Sequence, residues 1–165
     1  MSSNTKLQIR AAREQDAALI LQFIRDLAEY EKELARVSAS EAIIHAAFFG
    51  PQPHARALIV DVAQEPAAFA IYFFGFSSFP GFPNLYVEDI FVRPAYRGLG
   101  IGKQLMAHLA RIANENNCGR MEWAVLNWNE SAIRFYESLG AQPVKDWTVY
   151  HLEKPELTQL AAVEG

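Results

Sequence analysis

At 165 residues, with 51% hydrophobic and 21% charged positions, the chain has the size and composition of one folded globular domain. That hydrophobicity excludes a disordered chain, and a net charge of −4 leaves no basic surplus to hold a nucleic-acid backbone. Cys118 is the single cysteine, which excludes an internal disulfide and a cysteine metal cluster.

Residues 1–7 are polar and lack the apolar stretch of a signal peptide. The longest apolar run, residues 67–76, is too short to cross a bilayer as a helix, so the reading is a cytoplasmic protein with no membrane partner. Residues 6–10 read as a strand. Residues 14–36 read as one helix, because Ile20, Phe23, Ile24, Leu27, Glu31 and Leu34 recur at helical spacing. Ser38 and Glu41 form a capping-box pair for a second helix that ends near Gly50-Pro51.

Residues 57–62 and 67–76 are rich in β-branched and aromatic side chains and predict a hairpin around Gln64-Glu65-Pro66. Residues 77–83 form a loop, and Phe79 and Phe82 suit it to closing a small pocket. Residues 85–92 are a further strand. Residues 103–117 form an amphipathic helix with Leu105, Met106, Leu109, Ile112 and Ala113 on one face. Residues 121–126 are a strand, and Asn129 caps a helix that runs to Leu139 with Gly140 after its end. Residues 147–152 alternate as a last strand, and the tail, 155–165, is peripheral. This order defines a single α/β domain over residues 1–165, with a mixed central sheet flanked by helices.

The informative stretch runs from Asp89 to Lys103, where a strand enters a loop with Gly98, Gly100 and Gly102 and the loop opens a helix. Backbone N–H groups and the positive end of a helix dipole meet there, which makes an anion site suited to a pyrophosphate. A dinucleotide G-x-G-x-x-G starting at Gly98 fails, because position 103 is Lys103. A Walker A loop ending at Gly102-Lys103 fails at Arg97 and Gln104. The spacing that fits is R-x-x-G-x-G, at Arg97, Gly100 and Gly102.

With that loop the chain resembles the GNAT superfamily of N-acetyltransferases. The segments Leu27-Ala28-Glu29-Tyr30-Glu31, Leu85 to Val92 and Trp128-Asn129-Glu130 are similar to its spermidine/spermine (diamine) acetyltransferase family. Residues 132–136 and 139–141 extend the likeness, and residues 124–129 resemble the thialysine-type branch. The resemblance implies a GNAT-type fold, acetyl-CoA as donor, and direct transfer to a primary amine of a diamine, polyamine or thialysine-like amino acid. It also implies a homodimer, with Tyr30 near the other subunit's cleft. The rival readings are a peptide or protein amino-group acetyltransferase and a non-catalytic acyl-CoA-binding module.

The chemistry has three needs. An alkylammonium of pKa ~10 must lose its proton, the carbonyl oxygen needs donors, and the leaving thiolate benefits from an acid. Tyr136 matches the family's acid, although Ala132 and Ile133 share its helical face and core packing would also account for it. Glu88 matches the proton acceptor and Asp89 a group that holds the cationic acceptor. Neighbouring strand residues point to opposite faces, so at most one normally faces a given cleft; a local bulge would let both reach it, and a surface pair of carboxylates would equally account for them. The resemblance assigns CoA binding to Ile90, Phe91, Val92, Arg97, Gly98, Leu99, Gly100, Ile101, Gly102, Lys103, Asn129 and Ser131. It assigns the amine pocket to Tyr30, Glu31, Glu88, Asp89, Glu122, Trp123 and Ala124. A solvated helix face would equally account for Glu31. Glu122, Asn127 and the short stretch 144–148 depart from the polyamine enzymes. The four histidines show no metal-ligand spacing, so no metal is expected.

Overall fold

The computed structural model describes residues 7–163, which fall into two compact units that divide between Leu126 and Asn127. The polar residues 1–6, including Lys6 of the expected first strand, lie outside the described residues.

The first unit is built on a five-stranded sheet in the order β1 (Leu7–Ala11), β2 (Arg56–Val62), β3 (Glu65–Ser77), β4 (Phe82–Val92) and β5 (Arg120–Trp123). The first four are antiparallel and β5 runs parallel to β4, so the sheet is mixed, as expected. Helices α1 (Ala17–Tyr30) and α2 (Glu41–Phe49) pack on the face that carries Ala57, Ile59, Phe69, Ile71 and Phe91. There Phe23 stacks on Phe69 at 4.9 Å. Alternation turns Leu58, Val60, Ala68 and Ala70 to the other face, where they too are buried. Helix α3 (Ile101–Glu115) contacts β3, β4 and β5 and buries Ile101, Leu105, Met106, Leu109 and Ala113. Burying each large side chain of this kind stabilises the fold by about 1.5–3 kcal/mol.

Several boundaries move from their expected places. The first helix ends at Tyr30 rather than near Arg36, because Lys32 takes a left-handed φ of 63°. The Lys32 N–H then donates to the Glu29 carbonyl (3.1 Å) and the Glu33 N–H to the Ala28 carbonyl (2.7 Å), which is a Schellman cap. Glycine usually marks that stop, so a lysine there hides it from sequence patterns. The cap of α2 is Ser40, whose hydroxyl accepts from the Ile43 N–H, and not Ser38. The β2–β3 turn is Ala63-Gln64, with φ of 51° and 72°, rather than Gln64-Glu65-Pro66.

The expected pocket-closing loop is instead the end of a long β3–β4 hairpin, on which Phe79 is 98% exposed. β5 stops at Trp123, short of Leu126, because its parallel partner segment on β4 ends at Val87.

In the second unit Asn129 caps α4 (Glu130–Ser138), its side-chain oxygen accepting from the Ala132 N–H at 3.2 Å, and Gly140 follows with φ of 90°. A short helix, α5 (Lys154–Ala161), closes the chain. The expected strand at 147–152 does not form, and Trp147, Val149 and Tyr150 are exposed. Alternation marks a segment able to pair, but a strand exists only where a partner meets its backbone groups. No helix among the described residues is long and apolar enough to cross a membrane.

Candidate active site

The centre of the site is an irregularity in β4. Ile71 pairs with Asp89 and Tyr72 with Val87, so Glu88 is the extra residue of a β-bulge. The bulge frees Glu88 from strict alternation with Asp89 and leaves it exposed. Asp89 is partly buried on the α1 face, and its carboxyl is pushed up to about 6 by burial first, then by Glu88 and Glu31. Burial and Glu33 also raise Glu31. Asp89 therefore feels the charge of both Glu88 and Glu31, and a cation beside it would relieve that repulsion.

Beyond the bulge β4 has an unused edge. β5 pairs with it only from Asn84 to Val87, and no strand pairs with that edge from Glu88 to Val92 among the described residues. On the opposite edge the Arg93 N–H donates to the Ala67 carbonyl at 2.9 Å. Alternation then aims the Ile90 and Val92 N–H groups at the open edge, where an extended amide-bearing arm can pair as a strand does. Phe91 points into the core under α1.

This edge leads into the glycine loop. Gly98 and Gly100 have φ of 80° and 74°, and a Cβ at either would meet nothing within 4 Å. The left-handed dihedral, not lack of room, is what requires glycine there. Gly100 caps α3, and the first N–H to close a helical turn is that of Gln104, on the Gly100 carbonyl at 3.1 Å. The preceding N–H groups, from Ile101, Gly102 and Lys103, have no helical partner and sit at the positive end of α3. With Gly98 and the exposed Leu99 they form a cradle that fits a pyrophosphate.

Arg97 stands apart from that cradle. Its N–H donates to the Pro94 carbonyl (3.2 Å), its Nε to the Val92 carbonyl (3.0 Å), and its guanidinium lies 4.7 Å from the centre of the Tyr30 ring.

Glu122 lies beside Tyr86 in the parallel ladder, and its carboxylate accepts from Asn84 Nδ2 (2.7 Å) and pairs with Arg120 Nε (3.0 Å). Trp123 pairs with Val87 at the end of β5, and Ala124 lies exposed past it. Tyr86 was not anticipated. Burial raises its phenol, and so do the charges of Glu88 and Glu122, which places it between two acidic groups. Period-two spacing from Glu88 was the signal available for it. In the second unit, Asn129 is the helix cap, Ser131 is exposed on α4, and the Tyr136 ring lies 5.3 Å from that of Phe135. Among the described residues no group of three or more histidine, cysteine or carboxylate side chains is placed to hold a metal.

A bulged acidic strand with an open edge runs into a glycine loop and a helix N-terminus, an α/β arrangement suited to a ligand that joins an extended amide-bearing arm to phosphate. The chain belongs to the Acetyltransferase (GNAT) family, whose model matches residues 20–141, and it is an enzyme. It is 36% identical over 166 residues to the thialysine N-epsilon-acetyltransferase of Bos taurus, covering 94% of this chain and 97% of that one. It is 34% identical to the spermidine/spermine N(1)-acetyltransferase-like protein 1 of Homo sapiens, over 93% of this chain but 24% of that longer one. Among solved structures, an integron cassette protein from the mobile metagenome of V. cholerae superposes with a TM-score of 0.80 at 27% identity. That match covers 95% of this chain and 98% of the other.

Proposed function

We propose that the chain moves an acetyl group from acetyl-CoA to a primary amine of a small cationic acceptor: a diamine, a polyamine or a thialysine-like amino acid. The observation that carries this reading is the bulge, which turns Glu88 out next to Asp89, itself within reach of Glu31's charge, at the start of the open edge. Acetyl-CoA supplies an activated thioester. The Ile90 and Val92 amides hold its amide-bearing arm, and the N–H groups of Gly98 to Lys103 hold its pyrophosphate, with Asn129 and Ser131 contributing from α4.

Asp89 and Glu31 hold the cationic acceptor, with Tyr30, Glu122, Trp123 and Ala124 shaping its pocket. Glu88 takes the ammonium proton, directly or through water, so that the amine lone pair can attack the carbonyl carbon. The thioester carbon–sulfur bond then breaks, Tyr136 gives its phenolic proton to the departing thiolate, and the second proton lost by the attacking nitrogen as the amide forms restores the phenol. No covalent enzyme intermediate forms. We also propose that the enzyme is a cytoplasmic homodimer that binds no nucleic acid.

The test is a panel of amines with acetyl-CoA, following release of free thiol. Dicationic acceptors should be acetylated fastest. The panel includes a peptide with a free amino group. Preference for that peptide overturns the small-amine reading, and no thiol release with any amine overturns the enzyme reading.

A further inference from the structure

We propose that Arg97 is a positioning residue that couples the acceptor pocket to the CoA loop through Tyr30, rather than a ligand of the pyrophosphate. The proposal rests on the acetyltransferase reading above and adds to it a role for the first residue of R-x-x-G-x-G.

Three contacts hold this exposed side chain in one place. The guanidinium sits 4.7 Å from the Tyr30 ring centre and 5.5 Å from that of Phe91. The two rings lie 6.1 Å apart at 49°. Arg97 Nε donates to the Val92 carbonyl at 3.0 Å, on the edge of β4 that β3 does not use. The Arg97 N–H is spent on the Pro94 carbonyl in the one-turn 3-10 helix Pro94–Tyr96. A guanidinium that turned toward a phosphate would give up the ring faces and the carbonyl together.

What the arrangement joins is as telling as what it holds. Tyr30 is the last residue of α1, and the next residue, Glu31, is one of the charges that raise Asp89. Gly98, on the other side, opens the anion cradle. One flat cation therefore spans the last turn of the acceptor helix, the end of the bulged strand and the first residue of the loop. Displacing Tyr30 displaces Arg97, and Arg97 carries the loop with it. Binding at either end is then linked to binding at the other, and that linkage is reciprocal.

Calorimetric titration with CoA tests this, on wild type and on Tyr30→Leu, Tyr30→Phe, Arg97→Lys and the Tyr30→Leu/Arg97→Lys double variant. Tyr30→Leu should weaken CoA about three- to tenfold, the scale of losing a cation–π contact, although Tyr30 belongs to no part of the loop. Tyr30→Phe keeps the ring face and should retain most of the CoA affinity that Tyr30→Leu loses. Arg97→Lys keeps the charge but loses the planar fork, and should show the Tyr30→Leu loss. The double variant should be no worse than the weaker single one.

In Arg97→Lys the KM for an amine that wild type acetylates should rise by a similar factor, with kcat changing less. Wild-type CoA affinity in Tyr30→Leu, or losses that multiply in the double variant, overturns the coupling and returns Arg97 to the phosphate. If Arg97→Lys melts without a cooperative transition, the Tyr30→Leu and Tyr30→Phe pair decides the matter. A wild-type protein that binds no CoA overturns the family-derived loop assignment instead.

Discussion

Asp89 carries the sharpest conflict between folding and function. Burial, Glu88 and Glu31 raise its carboxyl from 3.8 to about 6 in the folded chain. A raised carboxyl adds stability that is complete below the unfolded value and is lost as pH rises through the folded one. Asp89→Asn should therefore raise Tm at neutral pH, with the gain closing below about pH 4 in melts run across the range. One pKa unit is worth ~1.4 kcal/mol, so the gain at neutrality is of the order of 1–3 kcal/mol. Holding an ammonium needs the ionised form. The amine KM of wild type should rise as pH falls through about 6, and Asp89→Asn should flatten that profile. Tyr136→Phe isolates the acid, because the ring stays and only the proton goes. Its kcat should fall roughly ten- to a thousandfold while the acetyl-CoA KM moves much less. A fully active Tyr136→Phe beside a dead Glu88→Gln would leave the tyrosine as packing alone.

At the scale of elements, the loop between β4 and α3 depends on a backbone conformation rather than on a side chain. Gly100 caps α3 with φ of 74° in open space, so a larger residue costs strain but causes no clash. A β-branched side chain in the left-handed region costs about 1–2 kcal/mol, and the chain escapes it by re-routing the loop. Gly100→Val should leave a cooperative thermal transition, because α3 keeps Ile101, Leu105 and Leu109 in the core. CoA binding by titration should be lost, since the N–H groups no longer converge. Wild-type CoA affinity in a folded Gly100→Val protein would remove the loop from the pyrophosphate. The bulge of β4 serves the same end by ending the parallel ladder at Val87, which leaves the strand edge to the donor's arm.

For the whole molecule the proposed homodimer is open to measurement. Two-fold pairs are the commonest soluble assemblies, and Trp147, Val149 and Tyr150 form an exposed apolar stretch of the kind that partners cover. Light scattering at working concentration should give twice the chain mass, and a monomer's mass would refute the dimer. Within its own chain Tyr30 meets Arg97 and Phe91.

What the sequence determined by itself was whatever short range decides. Residues a few positions apart set the amphipathic face of α3, the Asn129 cap with Gly140 after the helix, and the strand–glycine loop–helix unit at 89–103. The same nearness explains the failures. Lys32 adopts the left-handed stop of α1 without glycine's signature, and residues 147–152 alternate as a strand does without a partner. Tertiary structure alone decided that Glu88 is the bulged residue, since a bulge exists only in register with Ile71 and Tyr72. It alone raised Asp89, through burial under α1 and the approach of Glu31 from a segment far away in the chain. It alone laid Arg97 on Tyr30, because a cation meets a ring face only after folding brings α1 and the end of β4 together.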